Sequence, residues 1–204
     1  MNDIYFSELH FDKTERKNKY YRDITNGMNN MGNILIADTF NRTNDTDLGT
    51  TPTLHEWEAG AGGIQLALTN KTAKGTDAVN HISLVNASAD NIRISLKFNS
   101  LQGGWIRFRH NDSLASWRFG TNSNVDKPRL QKLDGGVTNV FTDLGNYEAG
   151  DIFSVELVGN VIACRINGVI RCTTTDAFGN AYTKHGIQCD TLDASFSEFY
   201  IETI

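Results

Sequence analysis

Apolar and polar residues alternate along most of the chain. In the stretch 92–98, IRISLKF, every second residue is apolar and the residues between them are polar or charged. The stretch 104–110, GWIRFRH, repeats the pattern, with Ile106 and Phe108 on its apolar face. A period of two residues is typical of β-strands that bury one face of a sheet and expose the other. No segment carries a helical apolar stripe longer than two turns, so the pattern predicts an all-β protein.

Predicted strands follow one another at short intervals from Ile34 onward, separated by turn residues. Asn167–Gly168 and Gly159–Asn160 each separate two apolar runs and predict two-residue hairpins. We expect residues 34–204 to form a sandwich of two antiparallel sheets. The predicted strands are Ile34–Phe40, Gly63–Thr69, Val79–Asn86, Ile92–Ser100, Gly104–His110, Ser116–Thr121, Pro128–Leu133, Val137–Thr142, Phe153–Val158, Val161–Ile166, Val169–Thr174, His185–Asp190 and Phe196–Glu202. The predicted core comprises Ile94, Leu96, Ile106, Phe108, Val155, Leu157, Ile162 and Ile166.

Residues 1–33 differ from this pattern. Charged and amide residues dominate the segment, and neither a helical nor a strand period is sustained. An apolar patch lies at the very start of the chain, and its members include Ile4, Phe6, Leu9 and Phe11. An apolar patch followed by a polar stretch predicts an arm that docks onto another chain. A frayed terminus is the alternative.

Composition and charge narrow the function classes. A formal net charge of −5 argues against a protein that coats nucleic acid. No stretch approaches the length of apolar sequence that a membrane span needs. The N-terminus lacks the apolar core of a secretory signal, so we expect the chain to stay in the cytoplasm of the cell that makes it.

Three cysteines, Cys164, Cys172 and Cys189, are expected to be reduced thiols. A two-residue turn at Asn167–Gly168 pairs Cys164 with Arg171, which places the thiols of Cys164 and Cys172 on opposite faces. A three-residue turn would instead place these two thiols directly opposite one another. The first alternative, without a disulfide, is the expected one.

Three segments of the chain carry motifs of a known family. The first, LIADTFNRTNDTDLGTTPTLHEWEAG, contains D-x-F-x-R, then L-G, then W. The second and third are the hairpin segment GDIFSVELVGNVIACRINGVIRCTTTD and the closing segment HGIQCDTLDASFSEFYIET. In this order they resemble the opening, hairpin and closing strand of the concanavalin A-like (laminin G/jelly-roll) β-sandwich domains of bacteriophage virion proteins. WEAGAGGIQL departs from the family's spacing after the first Trp, and the leading 33 residues have no counterpart in it.

The resemblance implies a two-sheet jelly roll in a virion protein of the tail, baseplate or capsid surface. On this interpretation the arm 1–33 binds other virion proteins, and the sandwich 34–204 binds host-surface polysaccharide for host recognition, as a homo-oligomer. A purely structural decoration, collar or tail-fibre subunit without a ligand is the second hypothesis. A glycan hydrolase is the third.

Catalytic motifs are not evident, and we expect no enzyme activity. Retaining glycan hydrolysis needs two carboxylates about 5 Å apart, which alternate positions on one strand supply. Glu156 and Glu198 are isolated on their predicted strands, and Glu56 and Glu58 alternate within a Gly-rich turn region. We assign no catalytic residue and no metal ligand on this evidence.

A cationic and aromatic cluster is the candidate glycan-binding site. Its members are Trp105, Arg107, Arg109, Arg93 and Lys97, with Arg118 and Arg165 as possible extensions. These side chains are predicted to project from the polar face of adjacent strands. Sugar rings stack on Trp, and Arg binds carboxylate or phosphate groups with two parallel hydrogen bonds. The alternative is a cross-strand ladder in which acidic residues neutralise the cations.

Calcium is the one cofactor that the resemblance allows, at a rim site made of Asp and Asn oxygens. Asp45–Asp47, Asp176 and Asp190–Asp193 are the candidates, although ordinary turn chemistry explains Asp equally well at these positions. No cofactor is otherwise expected.

Overall fold

The computed structural model is all-β, as predicted. It describes residues 34–61, 63, 65–76, 80–89, 91–100, 102–111, 115–122 and 127–204. The strands are β1 (Ile34–Asp38), β2 (Glu58–Ala59), β3 (Ala67–Thr69), β4 (Thr72–Lys74), β5 (His81–Asn86), β6 (Asn91–Phe98), β7 (Gly104–His110), β8 (Ser116–Gly120), β9 (Arg129–Leu133), β10 (Val137–Phe141), β11 (Ile152–Val158), β12 (Val161–Ile166), β13 (Val169–Thr175), β14 (Lys184–Cys189) and β15 (Ser195–Thr203). The two strands that the pattern did not predict, β2 and β4, are too short to show an alternation of their own.

Two antiparallel sheets form the sandwich. Sheet I has the order β13-β12-β11-β6-β15-β4-β3, and β1 also pairs with β15. Sheet II has the order β10-β9-β8-β7-β14-β5-β2. Although β6 and β7 follow one another in the chain, β6 pairs with β11 and β15, whereas β7 pairs with β8 and β14. The chain therefore crosses from one sheet to the other after Phe98.

Aromatic rings from both sheets fill the space between them. The ring centroids of Phe98 and Phe153 are 4.3 Å apart, and Phe196 meets Phe98 edge-on at 5.1 Å. From sheet II, Phe119 packs on Phe153 at 5.1 Å. Burial of this apolar surface is the main force that holds the sheets together. All eight residues predicted for the core are buried: Ile94, Leu96, Ile106, Phe108, Val155, Leu157, Ile162 and Ile166.

The opening D-x-F-x-R pattern has a structural explanation. Asp38 ends β1 with its side chain fully buried, and its Oδ1 accepts a hydrogen bond from the backbone N–H of Phe40 at 2.7 Å. The Arg42 guanidinium donates to both carboxylate oxygens of Asp38, at 2.6 and 3.0 Å, and also to the carbonyl oxygen of Leu48. The motif thus holds the loop after β1 in place.

The β12–β13 hairpin corrects the predicted cysteine geometry. The two-residue turn is present, since Ile166 pairs with Val169, but a β-bulge follows and pairs Cys164 with Cys172. The bulge keeps Arg171 exposed, whereas a regular register would point its guanidinium into the core. The two thiols therefore lie opposite one another, and all three cysteines are free.

The predicted docking arm 1–33, with Ile4, Phe6, Leu9 and Phe11, lies outside the described residues. Within the described ranges, no helix offers an apolar stretch long enough to cross a membrane.

Candidate functional site

The five residues predicted to form one cationic face do not share a face. Arg93 and Lys97 lie on β6 in sheet I, whereas Trp105, Arg107 and Arg109 lie on β7 in sheet II. The prediction took consecutive strands to be neighbours, but the chain changes sheets between them. The single cluster is therefore wrong, and the sandwich presents two separate outer surfaces.

On the outer surface of sheet I, acidic residues on flanking strands neutralise the cations. Arg93 donates to Glu156 Oε1 at 2.7 Å through its Nη2, and to Glu202 Oε1 at 2.8 Å through its Nη1. Lys97 Nζ donates to Glu198 Oε1 at 2.9 Å, and Arg165 donates to Glu156 Oε2 at 3.0 Å. This is the cross-strand ladder that the sequence left open as the alternative.

The ladder also affects the carboxylates considered for hydrolysis. Burial by itself raises the pKa of Glu156, but hydrogen bonds from Arg165 and Arg93 outweigh it and lower the pKa below its ordinary value. A general acid needs the opposite shift, toward a protonated carboxyl group. Glu198 is ion-paired with Lys97, and Glu58 is ion-paired with Lys184 at 3.0 Å. These contacts suit structural ion pairs better than an acid–nucleophile couple.

On sheet II, Trp105 is fully buried. Its Nε1–H donates to Asp190 Oδ2 at 2.7 Å, and the Arg118 guanidinium lies over the ring, 4.1 Å from the centroid. Burial lowers the pKa of Arg118, while the charge of Asp190 opposes that shift. One face of the indole is thus occupied by a cation.

Arg107 belongs to the same polar network and is 2% exposed. Its guanidinium donates to Gln188 Oε1 at 2.7 Å and to Ser116 Oγ at 3.1 Å. Burial first, and then the charge of Arg118, lower its pKa to about 10. The polar atoms of Trp105 and Arg107 therefore bind protein groups in this arrangement. Glycan binding by these two residues stays a prediction.

Arg109 has a different position, at one end of the sandwich. A β-bulge in β7 places two residues, Phe108 and Arg109, opposite the single residue His185 of β14, and Arg109 takes a φ of 47°. Its side chain donates to the carbonyl oxygen of Asp176 at 3.0 Å and to that of Gly159. Gly159 lies in the β11–β12 turn of sheet I, so Arg109 joins the two sheets at this end.

The loop between β13 and β14 packs closely around Arg109. Gly179 has a φ of +73°, and a Cβ at this position would lie 3.1 Å from the Cβ of Arg109 and 3.0 Å from the ring of Tyr182. Turn hydrogen bonds from Tyr182 N to Gly179 O and from Asn180 N to Ala177 O fold the loop back on itself. The Tyr182 ring is thereby held at the end of the sandwich.

A cavity of about 560 Å³ opens beside this loop. Two paired residues of sheet I, Ile92 of β6 and Leu157 of β11, form part of its wall, and Tyr182 adds an aromatic ring. Its polar groups come from Ser88, Arg109, Asn180, Thr183 and His185. Concave sites of this size, mostly apolar with a few placed polar groups, are typical ligand pockets.

His185 is buried in the wall of this end cavity. Its Nδ1 faces the backbone N–H of Arg109 at 3.3 Å and accepts that hydrogen bond. Burial, and to a smaller degree the charge of Arg109, lower the pKa of His185 to about 3. The imidazole is therefore neutral near neutral pH and serves as a hydrogen-bonding group rather than a cation.

Sequence reasoning found Arg109 but missed Tyr182, Asn180, Ser88 and His185. Tyr182 and Asn180 stand in AFGNAYTK, a loop in which two aromatic residues do not fit a strand alternation. That mismatch could have indicated that the loop has a role other than joining two strands. No sequence pattern distinguished Ser88 and His185, because the pairing of β5 with β14 is what brings these two residues close together.

The calcium candidates act mainly as turn acceptors. Asp45 and Asp47 accept hydrogen bonds from the backbone N–H groups of Thr46 and Gly49. Asp176 accepts from the N–H of Phe178 and from Lys132, and Asp190 accepts from Trp105. Over the ranges that the structure describes, no group of three or more His, Cys, Asp or Glu side chains is arranged to hold a metal ion.

Comparisons with known proteins give the class of fold. No family model matches the sequence, and no curated protein matches it. The carbohydrate-binding module CBM66 from Bacillus subtilis aligns with a TM-score of 0.54 and 13% identity, over 72% of this chain and 95% of that one. The chain thus shares a β-sandwich fold with this module.

Two further structures extend the comparison. One comes from a study of the endo-acting O-glycanases that prominent members of the human gut microbiota express to initiate mucin breakdown. It aligns with a TM-score of 0.55 and 8% identity, over 84% of this chain and 99% of that one. The other is the CBM2 module of the evolved Dit of Lactobacillus casei BL23 phage J-1, with 13% identity over 84% of this chain and 96% of that one. Its TM-score of 0.49 is too low to carry weight.

Proposed function

We propose that residues 34–204 form a carbohydrate-binding module whose ligand occupies the end cavity. The observation that carries the proposal is the cavity itself, about 560 Å³ in volume, with Ser88, Arg109, Asn180 and Tyr182 among the residues of its wall. That volume suits a terminal sugar or a short saccharide rather than a long groove-bound chain.

The residues of the cavity fit the two surfaces of a sugar ring. The half-buried Tyr182 ring offers apolar surface for the C–H face of a sugar. Ile92 and Leu157, also in the wall of the cavity, are buried and supply its apolar backing. Ser88 and Asn180, both exposed at the cavity, offer a hydroxyl group and an amide oxygen for the hydroxyl groups of the sugar, while the Asn180 amide nitrogen donates to Asn160 Oδ1. Arg109 acts as a positioning residue, because its guanidinium hydrogen bonds hold the Gly159 turn and the loop that carries Tyr182.

Binding is favoured over hydrolysis by the state of the carboxylates. Glu156 and Glu198 are held in ion pairs with basic residues on neighbouring strands, and Glu58 is held in an ion pair with Lys184, two strands away. The fold similarity to CBM66, a carbohydrate-binding module, supports the same choice. The similarity to a structure from work on endo-acting O-glycanases keeps glycan hydrolysis as the competing function, to be tested on the same glycans.

The wider role that we propose is host recognition by a bacteriophage virion protein. In this role residues 1–33 anchor the protein to other virion proteins, and the sandwich binds polysaccharide on the host cell surface. The motif resemblance at Asp38–Arg42, in the β11–β13 region and in β15 supports this role. A structural decoration subunit without a ligand is the alternative.

Glycan binding can be tested with purified protein on an array of bacterial cell-wall and capsular polysaccharides, followed by calorimetric titration of the hits. Ser88→Tyr fills the mouth of the cavity, and Asn180→Ala removes one hydrogen-bonding group. We expect Ser88→Tyr to abolish binding and Asn180→Ala to weaken it about tenfold, the effect of losing one hydrogen bond of about 1.4 kcal/mol.

Asn139→Ala is the matched control, since Asn139 is also exposed but lies on β10, at the far edge of sheet II. It should bind as the wild type does. A blank array would contradict glycan binding, and binding lost in Asn139→Ala but kept in Ser88→Tyr would move the site to the outer surface of sheet II. Release of reducing sugar from a bound glycan would favour the hydrolase.

A further inference from the structure

Cys164 and Cys172 face each other across the β12–β13 hairpin. Their backbones are direct partners in the antiparallel ladder, and both side chains point into the same apolar core, with Cys164 fully buried and Cys172 7% exposed. Directly opposed positions on antiparallel strands have Cα separations of about 4.5–5.5 Å, within the range that a disulfide spans.

We propose that these two residues are a redox-active pair that closes to a disulfide across the hairpin when the protein meets an oxidising environment. The β-bulge at Arg171 is the structural basis of the pair, since a regular register would put the thiols on opposite faces of the sheet. Cys189 has no such partner, and its thiol contacts the carbonyl oxygen of Ala194 at 3.6 Å.

The two thiols have different roles in the reaction. The hydrogen bond from Cys164 lowers the pKa of Cys172, whereas burial raises the pKa of Cys164. Cys172 also lies on β13, the edge strand of sheet I, and is 7% exposed, whereas Cys164 is fully buried. Cys172 is therefore the attacking thiolate and Cys164 the resolving thiol.

With oxidised glutathione as the oxidant, the steps balance. The Cys172 thiolate attacks one sulfur of glutathione disulfide, forms a mixed disulfide and releases one glutathione thiolate. Cys164 then loses its proton to solvent and attacks the sulfur of Cys172, releasing the second glutathione. Two protein thiols and one glutathione disulfide give one protein disulfide and two molecules of reduced glutathione.

The crosslink lies in the strand that leads to the end cavity. β13 ends at Thr175, and the loop that carries Tyr182 begins at Asp176, whose N–H is bonded to the carbonyl oxygen of Asn160. Joining β12 to β13 fixes the start of this loop relative to sheet I. The pair stands independently of the proposed glycan binding.

Peptide mapping of the full-length protein tests the proposal. The protein is incubated with oxidised or with reduced glutathione, alkylated and digested with trypsin without reduction. Cleavage after Lys132, Arg165, Arg171 and Lys184 separates the two cysteines into peptides 133–165 and 172–184. We expect these peptides to be joined after oxidation, with the loss of two hydrogen atoms, and to separate on reduction.

Three variants complete the test. Cys189→Ser should give the same crosslink as the wild type, whereas Cys164→Ser should stop at the glutathione adduct of Cys172, and Cys172→Ser should remain unreacted. Mapping of the wild type alone decides the matter if a variant fails to fold. Free thiols at both positions after oxidation, a wild-type adduct that never resolves, or a crosslink through Cys189 would each overturn the proposal.

Discussion

The indole nitrogen of Trp57 donates a hydrogen bond to the buried carboxylate of Asp38 at 2.9 Å, across 19 positions of sequence. The same carboxylate binds the Arg42 guanidinium and the N–H of Phe40. Trp57 in turn packs on Phe199 of β15, with ring centroids 5.0 Å apart. One buried acid thus ties the loop after β1 to the core of the sandwich.

Asp38→Ala should therefore be strongly destabilising. The change leaves the Trp57 N–H and the Arg42 guanidinium without their acceptor, and we expect the free energy of unfolding to fall by about 3 kcal/mol. Urea denaturation followed by fluorescence measures the loss. Asp134→Ala, at an exposed turn between β9 and β10, is the control and should change stability little. Equal stability of the two variants would contradict a structural role for Asp38.

Trp105 should act as a core residue rather than as a sugar platform. Because its indole is fully buried, Trp105→Ala is expected to cost about 3–5 kcal/mol of stability. Trp105→Phe keeps most of the buried area but removes the donor to Asp190, so its cost should be about 1–2 kcal/mol. Thermal or urea unfolding of the two variants measures which of them is less stable. A Trp105→Ala protein of wild-type stability that no longer binds glycan would restore the sheet II surface as the binding site.

The ladder on sheet I should contribute stability that depends on pH. The pKa of Glu156 is lowered in the folded protein and is about 4.3 in the unfolded chain. Its contribution is therefore present above about pH 4.3 and is lost as the pH falls through the lower folded value. Glu156→Gln should cost about 1 kcal/mol at neutral pH and nothing in strong acid. Glu56→Gln, with an exposed side chain, is the comparison, and identical pH profiles for both would contradict the prediction.

His185 should make the protein less stable on mild acidification. Its pKa is lowered to about 3 in the folded protein, mainly by burial, and is about 6.5 in the unfolded chain. Between these two pH values the unfolded chain binds a proton that the folded protein does not, so stability falls as the pH drops. The loss from this group is about 2 kcal/mol by pH 5. In His185→Gln, the difference in unfolding free energy between neutral pH and pH 5 should be smaller by that amount. An unchanged difference would mean that His185 is protonated in the folded state.

The strands themselves were predictable because burial of one sheet face requires apolar residues at every second position of the strand, and this alternation is visible in the sequence. In β6 the alternation of Ile92, Ile94 and Leu96 with polar residues indicated both the strand and its core face, and all three side chains are buried. The Asn167–Gly168 turn was predictable for a similar reason, since few dipeptides adopt two consecutive positive φ values, here 50° and 76°.

The candidate site was less predictable. Of its residues only Arg109 was proposed from sequence as a ligand-binding residue, and for a different reason, since it was expected to face outward with Trp105. A side chain's direction depends on bulges, and the bulge at Arg109 follows from how His185 pairs across the sheet. Tyr182, Ser88 and His185 come together because two loops and two strands meet at one end of the sandwich.

Alternation in the sequence therefore determined that the chain is a two-sheet β-protein, which residues form its core and where its hairpins turn. Only the tertiary structure decided which strands are neighbours. It placed Arg93 and Trp105 on opposite sheets, opposed Cys164 to Cys172 and formed the end cavity. The physical reason is the distance along the chain over which each feature is determined. The period of two residues is set by local backbone geometry, whereas sheet pairing and register are set by which apolar faces pack together across the whole molecule.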